Sequence, residues 1–213
     1  MSQAVTAESV RQLREQTGAG IMACKSALTE AGGEFERARD ILRAKGLASA
    51  QQRSGRQTRE GLVDAYIHPG GGVGVLLEVN CETDFVARTA EFKDLVHDLC
   101  LQVVGRAPRW VRREDIPGDQ LERERRVYLE QADREGRGKE RLDQIVEGRM
   151  RKFYEEACLY DQAWVRDEGS KGRRVSEVIQ AVIAATGENI TVSRFARFKL
   201  GEGLDDQAAS DDA

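Results

Sequence analysis

The amino-acid sequence predicts an α+β protein, in which a small antiparallel sheet and packed helices follow an N-terminal helical module. Near the N-terminus, apolar side chains recur at helical spacing and glycines interrupt the pattern. Further on, Val73, Val75, Leu77 and Val79 alternate with other residues, which is the period of a strand with one buried face. Helical spacing then returns, and strands and helices segregated along a chain are typical of the α+β class.

The chain divides by composition into four parts. Residues 1–50 are predicted to be a three-helix docking module, because so short a helical segment has only a small core. Residues 51–60 are polar throughout and predict a linker. Residues 61–200 form the predicted α+β core, which is also the predicted dimerisation domain. Residues 201–213 are small and acidic, and they predict a disordered tail.

Glycines and capping residues delimit the three N-terminal helices. Thr6 or Ser9 can cap the first helix, and Gly18-Ala-Gly20 ends it. Gly32-Gly33 separates the second helix from the third, and Gly46 is predicted to stop the third. The apolar faces are predicted to be Val10, Leu13, Ile21, Cys24, Leu28, Ala31, Phe35, Ala38, Ile41 and Leu42.

The predicted core begins with a hairpin. Strand patterns at 62–68 and 73–79 flank the turn Pro69-Gly-Gly-Gly72, and a cluster of glycines between two strands is more typical of a turn than of an anion site. An amphipathic helix follows, with an apolar stripe of Phe92, Leu95, Val96, Leu99 and Val103.

The second half of the core is predicted to be helical before a last strand. Gly136-Arg-Gly138 divides the charged stretch 120–157 into two helices. Ser176 is predicted to cap a short helix that Gly187 ends, and 189–199 has the pattern of a returning strand.

Composition excludes several classes of protein. The formal net charge is -4, from 33 basic and 37 acidic residues, which disfavours binding driven by nucleic-acid phosphates. The sequence contains no run of about 18 apolar residues that would span a membrane, and its N-terminus has no secretory pattern. Four widely spaced cysteines, Cys24, Cys81, Cys100 and Cys158, predict reduced core residues of a cytoplasmic protein.

No set of residues predicts covalent chemistry, a cofactor or a metal. Phosphate-binding glycine motifs do not occur in the sequence. A nucleophilic pair of Cys81 and His68 is conceivable, but both residues are also ordinary strand residues, and no third orienting group is visible. The paired carboxylates near the C-terminus have no scaffold to hold a metal.

The stretch Asn80–Arg88, NCETDFVAR, raises a different question. Thr83 and Asp84 have the chemistry of a helix cap. Phe85 follows them at a junction between a strand and a helix, where an aromatic usually packs into its own core. From the residues alone, Phe85 is either such a core residue or a wedge offered to another molecule.

Two stretches carry a family resemblance. They are Leu13–Leu28, LREQTGAGIMACKSAL, with a Thr-Gly-Ala-Gly turn and a following Cys-Lys, and Glu78–Ala87, EVNCETDFVA. Ile145–Tyr154 and Gly187–Ile190 add support in the same order, so that the match runs almost through the whole chain. These motifs resemble the signatures of the translation elongation factor Ts family.

The resemblance implies a guanine-nucleotide exchange factor for elongation factor Tu, the GTPase that delivers aminoacyl-tRNA. Such a factor acts by protein–protein binding and needs no cofactor. Its implied partners are elongation factor Tu, in the GDP-bound and nucleotide-free forms, and a second copy of the chain, because short members of the family are expected to be dimers. The N-terminal module would be ubiquitin-associated-like, and neither nucleic acid nor membrane would be contacted directly.

The resemblance also assigns residues to the partner. Thr83, Asp84, Phe85 and Val86 would form the segment that dislodges Mg²⁺ in elongation factor Tu, with Phe85 as the wedge. In the N-terminal module, the positions that match partner-facing positions are Arg14, Ile21 and Met22.

Two alternatives concern this assignment. Ile21 stands where many relatives have methionine, and burial in the module's own core is an equal alternative to partner contact. Arg14 on an amphipathic helix is, without the resemblance, a solvated surface residue.

Two other classes of function compete with an exchange factor. They are an interaction adaptor and a thiol enzyme that uses Cys81.

Overall fold

The computed structural model describes residues 5–135, 139–167 and 172–202. The predicted disorder beyond Glu202 and the break at Gly136-Arg-Gly138 therefore lie outside the described residues. Within them the chain forms eight α-helices and a three-stranded antiparallel sheet, so the predicted α+β class is confirmed. The helices are α1 (Ala7–Thr17), α2 (Ile21–Glu30), α3 (Phe35–Arg53), α4 (Asp84–Ala87), α5 (Ala90–Arg106), α6 (Gly118–Arg134), α7 (Lys139–Ala157) and α8 (Val175–Thr186). The strands are β1 (Glu60–Ile67), β2 (Val73–Cys81) and β3 (Ile190–Lys199), in the spatial order β1-β2-β3.

The chain divides into two compact units, each built from separate segments. The first unit comprises Met1–Asp64, Glu78–Asp98 and Ser176–Ser193, and the second comprises Ala65–Leu77, Leu99–Val175 and Arg194–Ala213. The four-part division expected from composition stays a prediction.

The N-terminal helices of the first unit begin and end where local chemistry directs them. The Thr6 hydroxyl accepts a hydrogen bond from the Ser9 backbone N–H at 3.1 Å, and the Ser9 hydroxyl accepts one from the Thr6 N–H at 3.0 Å. Gly18, with φ 68°, ends α1 in the left-handed conformation that a glycine adopts without steric cost. The buried residues of this module are Val10, Leu13, Cys24, Ala27, Leu28, Ala31 and Ala38.

Two predictions for this module are wrong. Gly46 does not stop the third helix, because α3 continues to Arg53. A Cβ on Gly46 would lie 3.5 Å from the Cβ of Ala184, which is an ordinary van der Waals contact, so α3 passes next to α8 at this residue. Ile21 is not part of the buried face of α2, since 57% of it is exposed.

The predicted hairpin is confirmed. The His68 N–H donates to the Val73 carbonyl at 2.9 Å where the chain passes from β1 to β2. In the first unit, Gly61 has φ 146°, and a Cβ there would lie 2.1 Å from the Val79 carbonyl oxygen. Only glycine fits this close approach of the two strands.

Helix α8 precedes the returning strand as predicted, with one correction at its start. The helix begins at Val175, so Ser176 lies in its first turn and does not cap it. Gly187, with φ 78°, ends the helix, and its N–H donates to the Ile183 carbonyl at 2.9 Å.

In the second unit, α6 and α7 pack against each other, which confirms the two predicted helices. Their buried cluster contains Ile116, Val146, Met150, Phe153, Ala157 and Cys158.

Two buried glutamines, Gln102 and Gln162, connect separate segments of this unit by hydrogen bonds. Gln102 Nε2 donates to Gln162 Oε1 at 3.0 Å, and Gln102 Oε1 accepts from the Val165 N–H at 2.7 Å. Both side chains satisfy backbone groups that would otherwise be buried without partners.

Candidate functional site

The NCETDFVAR stretch folds as two helix starts in succession at the end of β2. Thr83 caps the one-turn helix α4, and its hydroxyl oxygen accepts from the Val86 N–H at 3.5 Å. Thr89 then caps α5, and its hydroxyl oxygen accepts from the Phe92 N–H at 3.2 Å. Capping satisfies backbone donors that a helix start leaves free, so the chain turns here without irregular backbone. We call residues 83–87 the tip.

The tip directs its aromatic side chain outward. Phe85 is 78% exposed, whereas Val86 and Ala87 are 9% and 5% exposed. Leaving a Phe side chain in water forgoes about 1.5–3 kcal/mol of burial free energy. The fold therefore gains little from Phe85, and the alternative that Phe85 packs in its own core is wrong.

The two polar residues of the tip have different partners. Thr83 is the cap, as predicted, while Asp84 makes an ion pair with Arg88 at 2.7 Å one helical turn later. Both members of this pair are well exposed, and such a pair contributes about 0–1 kcal/mol to stability. Asp84 therefore remains available to another molecule.

A glutamate that the sequence does not single out holds the base of the tip. Glu188 follows α8 and accepts two hydrogen bonds from Thr83, one from its N–H at 3.0 Å and one from its hydroxyl at 2.6 Å. Next to it, the Asn189 N–H donates to the Glu82 carboxylate at 2.7 Å. These contacts join residues more than 100 positions apart in sequence, which no local pattern reveals. The only signal was that Gly187–Ile190 belongs to the family motifs.

The N-terminal residues assigned to the partner lie on the surface of the same unit. Ile21 and Met22 open α2 and are 57% and 74% exposed. Arg14 is exposed on α1. Exposure decides the open question about Ile21, whose side chain is available for contact with another molecule.

Cys81 does not have the environment of a nucleophile. Its side chain is buried, and Sγ donates to the Thr83 carbonyl oxygen at 3.1 Å. Burial and the nearby Glu188 carboxylate raise the pKa of the Cys81 thiol to about 11, so it is protonated at neutral pH. All four cysteines are buried free thiols, as predicted. Among the described residues, no group of three or more His, Cys, Asp or Glu side chains could hold a metal ion.

A second exposed apolar surface lies on the sheet in the second unit. We call it the sheet face, and it consists of Ile67, Leu76, Phe198 and Leu200, all of which are at least half exposed. The alternate residues Val75 and Leu77 of β2 are buried. The sequence pattern identified this buried side, but it did not single out the apolar residues on the other side.

Within the described residues, no helix has both the length and the apolar composition needed to cross a membrane.

Comparison with known proteins agrees with the resemblance. The family model for elongation factor TS matches residues 47–202. An elongation factor Ts from Thermoanaerobacter sp. (strain X514) is 51% identical over 201 residues, which cover 94% of this chain and 97% of that protein. Elongation factor Ts from Caldanaerobacter subterraneus subsp. tengcongensis is 50% identical over 94% of this chain and 99% of its own length. The protein of the same name from Thermotoga sp. (strain RQ2) is 48% identical over 95% of this chain and 99% of its own. The chain belongs to the elongation factor Ts family.

Proposed function

We propose that this protein is a guanine-nucleotide exchange factor for elongation factor Tu. It binds the GDP form, perturbs the Mg²⁺ site and promotes GDP release, so that GTP can bind. The observation that carries the proposal is the 78% exposure of Phe85 on a capped turn, in a chain of this family. No covalent step is required of the factor, in keeping with the protonated Cys81 thiol.

Exchange requires differential binding. A ligand shifts an equilibrium only by the difference between its affinities for the two states. The factor must therefore bind nucleotide-free elongation factor Tu more tightly than the GDP form, and by reciprocity GDP must weaken binding of the factor. A GTPase holds GDP through its phosphate loop, a lysine and Mg²⁺, so a group that displaces elements around Mg²⁺ lowers GDP affinity.

The tip has the properties that such a group needs. Phe85 is a rigid aromatic that brings contact area at a low cost in side-chain entropy. Asp84 is close to half exposed and can accept hydrogen bonds from the displaced segment of the partner, while Thr83 orients the turn. Val86 is buried, so its contribution is to anchor the tip from within.

The N-terminal module provides docking in this proposal. Ile21 and Met22 are neighbouring exposed apolar side chains at the start of α2, and Arg14 is an exposed cation on α1. Apolar anchors with an arginine nearby are typical of the residues that dominate protein–protein binding energy.

We also propose that two copies pair through the sheet face. Phe198 and Leu200 are exposed apolar residues at the end of β3, and a symmetric dimer uses one self-complementary patch twice. The residues that follow, 203–213, are mostly acidic and small, with Leu204 as their one large apolar residue, so they are poorly suited to cover an apolar surface. The family's short members, which this chain resembles, are expected to be dimers.

The exchange proposal is tested by nucleotide release. Purified elongation factor Tu is loaded with fluorescent GDP and mixed with this protein and excess unlabelled GDP. We expect faster release with the wild type, and most of the acceleration to be lost in Phe85→Ala. Leu129→Ala, which truncates an exposed apolar residue on α6, serves as the matched control. Binding without acceleration by the wild type would identify an adaptor and refute the exchange function.

A further inference from the structure

We propose that Glu188 is a positioning residue for nucleotide exchange, which fixes the direction in which the tip presents Phe85. The proposal rests on the proposed function and adds to it a residue outside the tip. Glu188 lies on the segment between α8 and β3, far from the tip in sequence. Its side chain reaches the tip through two hydrogen bonds, both to Thr83.

The first observation is that both carboxylate oxygens of Glu188 are used on one residue. Oε2 accepts from the Thr83 N–H at 3.0 Å, and Oε1 accepts from the Thr83 hydroxyl at 2.6 Å. Because this hydroxyl donates its proton to Glu188, its oxygen lone pairs face the Val86 N–H, which it caps at 3.5 Å. The carboxylate therefore orients the cap as well as the backbone that carries Phe85.

The second observation is a reciprocal bond between the same two segments. While Glu188 accepts from the Thr83 N–H, Glu82 accepts from the Asn189 N–H at 2.7 Å. Each segment thus offers a carboxylate to the backbone of the other. Hydrogen bonds to a charged acceptor are about twice as strong as neutral ones. We call this arrangement, formed by residues 82–83 and 188–189, the crossed clamp.

The third observation is that the Glu188 side of the crossed clamp is itself held in place. Gly187, with φ 78°, ends α8 immediately before Glu188. The buried Asn189 side chain donates to the Arg56 carbonyl at 2.9 Å, just after α3. Glu188 therefore lies between two constrained neighbours, Gly187 and Asn189, and it joins the tip to the segment that follows α8.

Loss of the crossed clamp leaves Phe85 with the same chemistry but a less defined direction. A group that is ordered before binding loses less entropy when it binds, so a disordered tip binds the partner more weakly. Glu188→Ala removes both bonds to Thr83. We expect it to lower the acceleration of GDP release by about tenfold, the factor that corresponds to one hydrogen bond to a charged group.

Glu188→Gln distinguishes positioning from direct contact with the partner. A glutamine can still accept from the Thr83 N–H and donate to the Thr83 hydroxyl, so we expect it to retain more exchange activity than Glu188→Ala. If Glu188 instead acted on the partner through its charge, the glutamine would be as defective as the alanine. That result would overturn the proposal.

A double-mutant cycle provides the decisive readout. Glu188→Ala and Phe85→Ala are measured alone and together by release of fluorescent GDP. If Glu188 acts through Phe85, its removal has little further effect once Phe85 is absent. Losses that multiply in the double variant overturn the proposal, because a general structural defect would act equally with or without Phe85. Glu177→Ala, which removes another carboxylate of the same unit and its ion pair with Arg43, is the matched control.

Two further measurements separate the possible failures. Amide hydrogen exchange at Val86 in the free protein is expected to speed up in Glu188→Ala, and unchanged protection contradicts the clamp. If Glu188→Ala does not fold, Thr83→Val breaks the hydroxyl bond from the other side and enters the same cycle. No acceleration by the wild type refutes the exchange function and the role of Glu188 in it. If the wild type accelerates GDP release but Glu188→Ala lowers that acceleration by the same factor with and without Phe85, only the positioning role is refuted.

Discussion

Replacing Phe85 by alanine separates folding from exchange, and the structure sets the size of both effects. Phe85 is 78% exposed, so about a fifth of its surface is buried in the free protein. Full burial of a Phe side chain is worth about 1.5–3 kcal/mol, and a fifth of that is about 0.3–0.6 kcal/mol. Phe85→Ala is therefore expected to lower the free energy of unfolding by less than about 1 kcal/mol.

The effect on exchange is expected to be much larger. If the exposed four-fifths of Phe85 is buried in the partner, the alanine variant forfeits about 1.2–2.4 kcal/mol of binding to the nucleotide-free state. Since about 1.4 kcal/mol corresponds to a factor of ten, the acceleration of GDP release should fall by roughly 7- to 50-fold. Phe85→Leu retains much of the apolar area and should fall between the wild type and the alanine variant.

Two measurements on the same preparation check this reasoning. Urea unfolding monitors stability, and release of fluorescent GDP from elongation factor Tu monitors exchange. The control, Leu129→Ala, truncates a side chain that is 46% exposed, so by the same estimate it should cost about 0.8–1.6 kcal/mol of stability and leave the rate of exchange unchanged. A loss of several kcal/mol in stability, or exchange at the wild-type rate in Phe85→Ala, would refute the role assigned to the tip.

Three further predictions concern the second unit and the buried thiol. Gln102→Leu leaves the Val165 N–H and the Gln162 Oε1 without the partner that Gln102 provides, although Gln162 Nε2 keeps its bonds to the Arg106 and Glu156 carbonyls. The variant should cost about 2–4 kcal/mol in urea unfolding, whereas Gln120→Leu, at an exposed position, should cost little. Equal effects would contradict the buried network. Phe198→Asp places a charge on the sheet face and should convert a dimer to monomers in sedimentation velocity. The control Val127→Asp, on α6, should leave the dimer intact, and an unchanged dimer in Phe198→Asp would place the interface elsewhere. Cys81→Ser should retain exchange activity in the folded protein, because a thiol with a pKa of about 11 supplies no nucleophile at neutral pH. A complete loss of exchange activity with the fold intact would restore the thiol-enzyme hypothesis.

Much of the fold was predictable because its signals are local. The Thr6 cap, the left-handed Gly18 and Gly187, and the alternation along β2 each depend on a few neighbouring residues. The wrong predictions for Gly46 and Ser176 rest on rules for helix ends, which describe local preferences and do not fix the residue at which a helix stops or starts. Gly46 lies inside α3, next to α8, whereas the glycine rule for helix ends describes only local backbone freedom.

The candidate site divides in the same way. Family motifs identified the tip and the N-terminal positions from the residues alone, but they left open whether Phe85 and Ile21 were buried. The structure answers for both, since Phe85 is 78% and Ile21 57% exposed. Sequence reasoning missed Glu188, because its bond to Thr83 has no counterpart in any periodic pattern.

Composition, periodicity and motifs along the chain were enough to predict the α+β class, the order of the helices and strands, and the family. The exposure of the Phe85 side chain and the contacts that hold the tip became visible only in the folded chain. The direction of one side chain on a short turn depends on its neighbours in space. Here those neighbours are the buried Val86 beside it and the carboxylate of Glu188, a residue that follows α8 and that the fold brings to Thr83.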